Sequence, residues 1–265
     1  MKELVNLIRS ENMKIYFRKS TWVMVGFLIL AVILSAATTW RIGVNDGIWG
    51  LVAGQISALF LVDLFTVIVA AGIVATEYHW GTIKLLLIRP VNRGRILFAK
   101  YLSLILFGLF LMMVLFGTAL TVNGLLFTIK SGSGAELLGA VLPGKKLWFD
   151  SFGGATLLYT LRFAEVAVYA TFAFMLSTIS KSSAFTIGIS IFTMLFGPEF
   201  ANMLSGKPWG KYILFANLDL SRYLKNNPNP WPGMSPAFST LVLIGYGLVF
   251  YLISRTFFIK RDVLS

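Results

Sequence analysis

The chain has 265 residues, 57% of them hydrophobic and 13% charged, and carries a formal net charge of +12. That balance lies outside the soluble range and inside the membrane class, and six apolar segments in this length make one integral membrane domain. With no cysteine and one histidine, His79, disulfides and thiolate or histidine metal centres are excluded; the surplus of cations in such a chain reports orientation and anionic headgroups, not nucleic acid.

Residues 1–20 interleave Leu4, Val5, Leu7, Ile8, Ile15, Tyr16 and Phe17 with Lys2, Arg9, Lys14, Arg18 and Lys19. The stretch is basic and amphipathic, unlike a cleavable leader, and predicts a helix lying in the headgroup plane with its cations in water. Residues 22–40 carry no charge, suffice to cross a hydrocarbon core of about 30 Å, and have Trp22 and Trp40 at their ends as interfacial anchors. A short polar turn leads into a second span, 51–75. Asp63 near its middle must face protein or water, since a carboxylate in lipid is expensive.

Next comes a polar, basic island from Glu77 to Arg95, closed by Lys100. Arg89, Arg93, Arg95 and Lys100 cluster just before the third span, 96–127, and such clusters stay on the cytoplasmic side. Pro90 ends the helical stretch within the island, because its ring removes a donor and clashes with the preceding turn. In the third span Gly108, Gly117 and Gly124 would permit close helix approach. Residues 129–149 are polar and glycine-rich. The run Gly139-Ala-Val-Leu-Pro-Gly144-Lys145-Lys146 imitates a phosphate loop, but Lys146 stands where the magnesium-binding hydroxyl belongs and no strand precedes it. The chain therefore has no nucleotide-hydrolysing motif of its own.

The fourth span, 155–179, holds Arg162 and Glu165, whose spacing of three puts them on one helix face. They would neutralise each other, and Asp63 would join them, either as a structural ion group or as a polar patch on a substrate path. Ser180 to Ser183 makes a tight inner turn. The fifth span, 184–196, stops at Gly197-Pro198-Glu199. Residues 198–235 are too broken by Pro208, Pro228, Pro230 and Pro232 to span, and read as a helical hairpin dipping into the outer leaflet. The sixth span is 236–253. Alternation from the basic first segment puts both termini in the cytoplasm.

Three separated stretches resemble the permease subunits of type-2 ABC transporters. They are Glu77…Gly81-Thr82-x-Lys84-x-Leu86-Leu87-x-Arg89-Pro90-x-x-Arg93 with Lys100; Trp209-x-Lys211-Tyr212-…-Phe215-x-Asn217-x-Asp219-Leu220-x-x-Tyr223-Leu224; and Phe258-x-Lys260-Arg261-Asp262-Val263. The resemblance implies an all-α membrane domain over residues 1–265, with an elbow helix (1–20), six spans, a cytoplasmic coupling helix (77–93) and outer re-entrant helices (198–235). It implies that Glu77, Gly81, Thr82, Lys84, Leu85, Arg89, Pro90 and Arg93 meet a separate ATPase subunit, present in two copies, which binds ATP and Mg. A second permease, identical or a sister chain, completes the unit in a bacterial cytoplasmic membrane. No cofactor is expected in this chain itself. Phe60, Phe65, Phe185 and Phe192, with Asp63, Arg162 and Glu165, are the candidates for lining a substrate path. An apolar-walled path suits an amphiphile such as an antimicrobial peptide, a lipid-like molecule or a drug, and lantibiotic and bacitracin self-protection permeases are plausible relatives.

Two rival classes are weaker. A membrane-embedded enzyme needs catalytic groups gathered at one depth, yet the spans offer only Asp63, Arg162 and Glu165. An ion-coupled carrier typically has inverted repeats and helices broken near mid-membrane, whereas the broken region here falls toward the outer side.

Overall fold

The computed structural model describes residues 2–42, 48–79, 92–131, 151–180, 182–224, 231 and 233–260. Gly81, Thr82, Lys84, Leu85, Arg89 and Pro90, the glycine-rich segment 132–150, and residues 261–265 lie outside them. Within them the chain is helical, without strands. In order the helices are α1 (Lys2–Tyr16), α2 (Lys19–Ile42), α3 (Ile48–Gly54), α4 (Leu59–His79), α5 (Arg93–Ser131), α6 (Phe152–Ser180), α7 (Ser183–Met203) and α8 (Pro236–Lys260). A 3₁₀ turn, Gln55–Ala58, joins α3 to α4, and three more (Pro208–Tyr212, Leu214–Ala216, Leu220–Tyr223) lie between α7 and α8.

Among the described residues six stretches are long and apolar enough to cross a membrane: Lys19–Ile42, Ile48–Glu77, Arg93–Leu126, Phe152–Ser180, Ser183–Met203 and Pro236–Lys260. Their order matches the six apolar runs of the sequence, with ends extended by a few residues, since helix continues until a cap or a turn stops it. Asn92 caps α5: its carbonyl accepts from the Arg95 and Ile96 amides and its side chain from the Gly94 amide. Ser182 caps α7 through the Phe185 amide.

The fifth span differs from expectation. α7 runs through Gly197-Pro198 to Met203 instead of ending at 196. Proline removes one backbone donor but leaves the rest of the helix able to pair. Gly197 has another task, because a Cβ there would enter the Phe215 ring, so the glycine lets the 3₁₀ region close onto α7. That region, expected as a helical hairpin, consists of short 3₁₀ turns in its described part.

The core is built on α4 and α6, which pack along each other and are covered by α5, α7 and α8. Ser177 of α6 enters the α4 ladder, donating to the Ala71 carbonyl at 2.8 Å and accepting from the Ala75 amide at 3.1 Å. Gly108 of α5 lies against both helices: a Cβ there would meet Val166 at 3.2 Å and Thr66 at 3.4 Å. Gly117 meets nothing within 4 Å, so of this pair Gly108 alone marks a close approach. Large apolar side chains such as Phe27, Leu34, Met113, Leu241 and Leu248 point outward, as they do on helices solvated by lipid.

Candidate functional site

Two groups of charged side chains draw separate helices together, one at each end of the α4–α6 core. The first lies where α1 crosses the start of α5 and the end of α4. Lys100 of α5 has no exposed surface and sits between two carboxylates, 2.8 Å from Glu11 Oε2 and 2.6 Å from Glu77 Oε1. Lys14 of α1 closes the ring, 2.6 Å from Glu11 Oε1 and 3.2 Å from Glu77 Oε1. Two cations and two carboxylates from three helices thus neutralise one another. Such a pairing is what makes burial of Lys100 tolerable, since removing an ammonium from water unpaired is prohibitive.

Local structure places this ring. On α1, Glu11 and Lys14 are one turn apart and share a face. Ile15 is buried beside them, and the Tyr16 ring meets Phe110 edge-on at 5.2 Å. Where α1 turns into α2, Thr21 donates to the Ile15 carbonyl and Trp22 to the Tyr16 carbonyl, satisfying the last acceptors of the helix. Ser103 adds a bond to the Ile8 carbonyl. The opposite face of α1 exposes Val5, Met13 and Phe17. The helix therefore departs from the expected arrangement: Arg9 stays exposed between Val5 and Met13, while Glu11 turns inward to Lys100 instead of into water. Burial alone would push the Glu11 carboxyl up, but the charge and hydrogen bond of Lys100, with those of Lys14, hold it below its ordinary value. Burial would lower Lys14, but Glu11 and then Glu77 outweigh it and raise the ammonium above its ordinary value.

Of the residues expected to couple to an ATPase, Glu77 and Arg93 are described. Glu77 is in the ring. Arg93 stands at the first residue of α5 and reaches the Ile259 carbonyl near the end of α8 at 3.5 Å. The roots of the 80–91 segment thus connect to α1, α5 and α8.

The second group surrounds Arg162 on α6, ten residues into the helix and hence about 15 Å from its start. Its guanidinium lies 2.7 Å from Glu165 Oε2 and 3.4 Å from Asp219 Oδ1. The sequence spacing predicts the Glu165 pair; the Asp219 contact is a product of the fold. Asp219 opens the 3₁₀ turn Leu220–Tyr223, where it accepts from the Ser221 amide and hydroxyl. Asp63 of α4 is buried within electrostatic reach of Arg162 and Glu165, and its Oδ1 has no hydrogen-bond partner. Three carboxylates thus gather around one guanidinium. Among the described residues no cluster suited to a metal ion occurs.

The 3₁₀ region is fastened independently. The Asn217 amide donates to the Lys211 and Ile213 carbonyls at 2.8 Å, and its carbonyl accepts from Ser239 of α8, which also meets the Tyr223 hydroxyl at 2.6 Å. Trp231 is buried and donates to the Leu204 carbonyl. The aromatic candidates disperse: Phe60, Phe185 and Phe192 face outward, while Phe65 is half-buried against the core. Sequence reasoning missed Glu11 and Lys14 as partners of Lys100. The available signal was a carboxylate one turn from a lysine on an otherwise lipid-seeking helix.

Six candidate spans, an all-helical bundle and buried ion groups between helices define a multi-pass α-helical membrane protein. Residues 40–264 match the model of the family described as "Protein of unknown function (DUF2705)", and the chain belongs to that family. It is similar to two Bacillus subtilis (strain 168) proteins: Uncharacterized protein YhcI, 33% identical over 313 aligned residues covering 98% of this chain and 99% of that protein, and Uncharacterized membrane protein YdbK, 28% identical over 259 residues covering 95% and 99%.

Proposed function

We propose that this chain is the permease subunit of an ATP-driven ABC exporter in a bacterial cytoplasmic membrane, with both termini in the cytoplasm. Two copies of a separate ATPase subunit, which hold ATP and Mg, drive two permeases, identical or sister chains. The transported molecule is amphiphilic or hydrophobic: an antimicrobial peptide, a lipid-like molecule or a drug. Segment 77–93 is the coupling helix, and Gly81, Thr82, Lys84, Leu85, Arg89 and Pro90 meet the ATPase.

The observation that carries the reading is the ring of Glu11, Lys14, Glu77 and Lys100. A segment pushed by a motor must be rooted in more than one helix if its motion is to reach the bundle. Glu77, at one root, is bonded to α1 and α5; Arg93, at the other, reaches α8. In this role α1 is the elbow helix, and the outer re-entrant region, 198–235, includes the 3₁₀ turns between α7 and α8. The test is affinity purification of the tagged chain from membranes, with companions identified by mass spectrometry. An ATPase subunit should co-purify, and Arg89→Glu or Gly81→Trp should abolish that while leaving membrane insertion intact. Co-purification unchanged in both variants refutes the coupling role.

One observation favours a second reading, an ion-coupled carrier: the three carboxylates around Arg162, with Asp63 Oδ1 unpartnered in the core. Transport by the purified chain in vesicles under an ion gradient, without ATP or an ATPase, would select it.

A further inference from the structure

Between α1, the start of α5 and the end of α8 lies a cavity of about 390 Å³, within the usual size range of small-molecule sites. Arg95 and Arg255 line it from two different helices, together with Asn92. Its other wall is apolar, made by Leu4, Phe98 and Tyr251, with the Phe98 and Tyr251 rings edge to face at 6.5 Å. Gly94 also lines the cavity, beside the Asn92 side chain and Arg255.

Both arginines sit within a turn or two of a span's end, at the level where a bilayer changes from acyl chains to headgroups. Two guanidiniums over an apolar wall match a ligand with an anionic phosphate at one end and hydrocarbon at the other. Among the described residues the one carboxylate lining the site is Glu3, 3.5 Å from Arg95, with both side chains largely exposed. An exposed pair of that length is worth little, so a phosphate displaces Glu3 cheaply. From this geometry we infer that the cavity binds the headgroup of an anionic phospholipid, with Arg95 and Arg255 on the phosphate and Phe98 and Tyr251 against the first part of the acyl chain. The site needs no ATPase partner, so it stands or falls apart from the transport reading.

The test is native mass spectrometry of the purified full chain in detergent, titrated with phosphatidylglycerol, with phosphatidylcholine, or with inorganic phosphate alone. The wild-type chain should retain one phosphatidylglycerol in preference to phosphatidylcholine. Each arginine near an anionic headgroup is worth a factor of about five, so Arg95→Gln with Arg255→Gln should weaken retention by about 25-fold. Lys211→Gln, outside the cavity, should leave it unchanged. Glu3→Gln removes the competing carboxylate and should tighten retention by up to about fivefold, an outcome that does not depend on the double variant folding. Equal retention of the two lipids, no change in the double variant, or weaker retention in Glu3→Gln, overturns the site. Inorganic phosphate binding as well as the lipid would make it a free-anion site and overturns the lipid assignment.

Discussion

Replacing Lys100 by methionine tests the ring that roots α1 and α4 on α5. At 2.8 and 2.6 Å the two Lys100–carboxylate pairs are close contacts, and at an effective dielectric of about 20 each is worth about 6 kcal/mol of attraction. Desolvating the ammonium and the carboxylates takes several kcal/mol per ion in the other direction, so the intact ring is near balance. Methionine fills most of the volume but leaves Glu11 and Glu77 desolvated and facing one another, with only Lys14, half exposed, between them. Removing one member of a buried ion group costs about 3–5 kcal/mol. For a chain of this size that corresponds to a fall in Tm on the order of 10 °C, read by tryptophan fluorescence during heating in detergent. Limited proteolysis should show α1 cut before the rest of the bundle. Adding Glu11→Gln and Glu77→Gln should recover most of the loss, because neutral isosteres remove the stranded charges. A single variant within a degree or two of wild type, or a triple variant no better than the single, would refute the ionic account.

Stability should be flat at neutral pH and fall at both extremes. Glu11 is held below its ordinary value of 4.5, so its contribution is present above that pH and is lost as pH falls through its folded-state value. Lys14 is raised above 10.5, so its contribution is full below that pH and is lost as pH rises through its folded-state value. Thermal scans across pH check both limbs, and Glu11→Gln should flatten the acid limb. Gly210→Ala would drive a methyl into Trp231 and to 2.8 Å from the Leu204 carbonyl. Overpacking of this kind costs about 1–3 kcal/mol, seen as a lower Tm. Arg162→Gln leaves Glu165 and Asp219 without their cation near Asp63, and should destabilise by about 3–5 kcal/mol. Adding Glu165→Gln should recover part of that, which denaturation in detergent micelles would measure.

Membrane class and the number of crossings were legible in the linear chain, because twenty-odd uncharged apolar residues have few other places to go. The Arg162–Glu165 pair was equally legible, since helical periodicity alone puts positions three apart on one face. The end of α7 was not: Gly197-Pro198 reads as a stop, yet the helix tolerates the proline and the glycine serves contact with Phe215. Nor was the inward turn of charge on α1, where amphipathicity predicts lipid on one side and water on the other but is silent about a partner 89 residues away.

What the sequence by itself determined here is everything that depends on composition and short-range periodicity: six helices apolar and long enough to cross a membrane, a basic amphipathic first helix, and the buried carboxylates that cannot face lipid. Tertiary structure alone decided which charges meet between separate elements. Glu11 with Lys100, and Asp219 with Arg162, are joined across long stretches of chain by the packing of whole helices, and no local pattern encodes such a distance. The physical reason is that the hydrophobic drive acts on surfaces residue by residue, whereas an ion group forms only at the particular points where those packed surfaces cross.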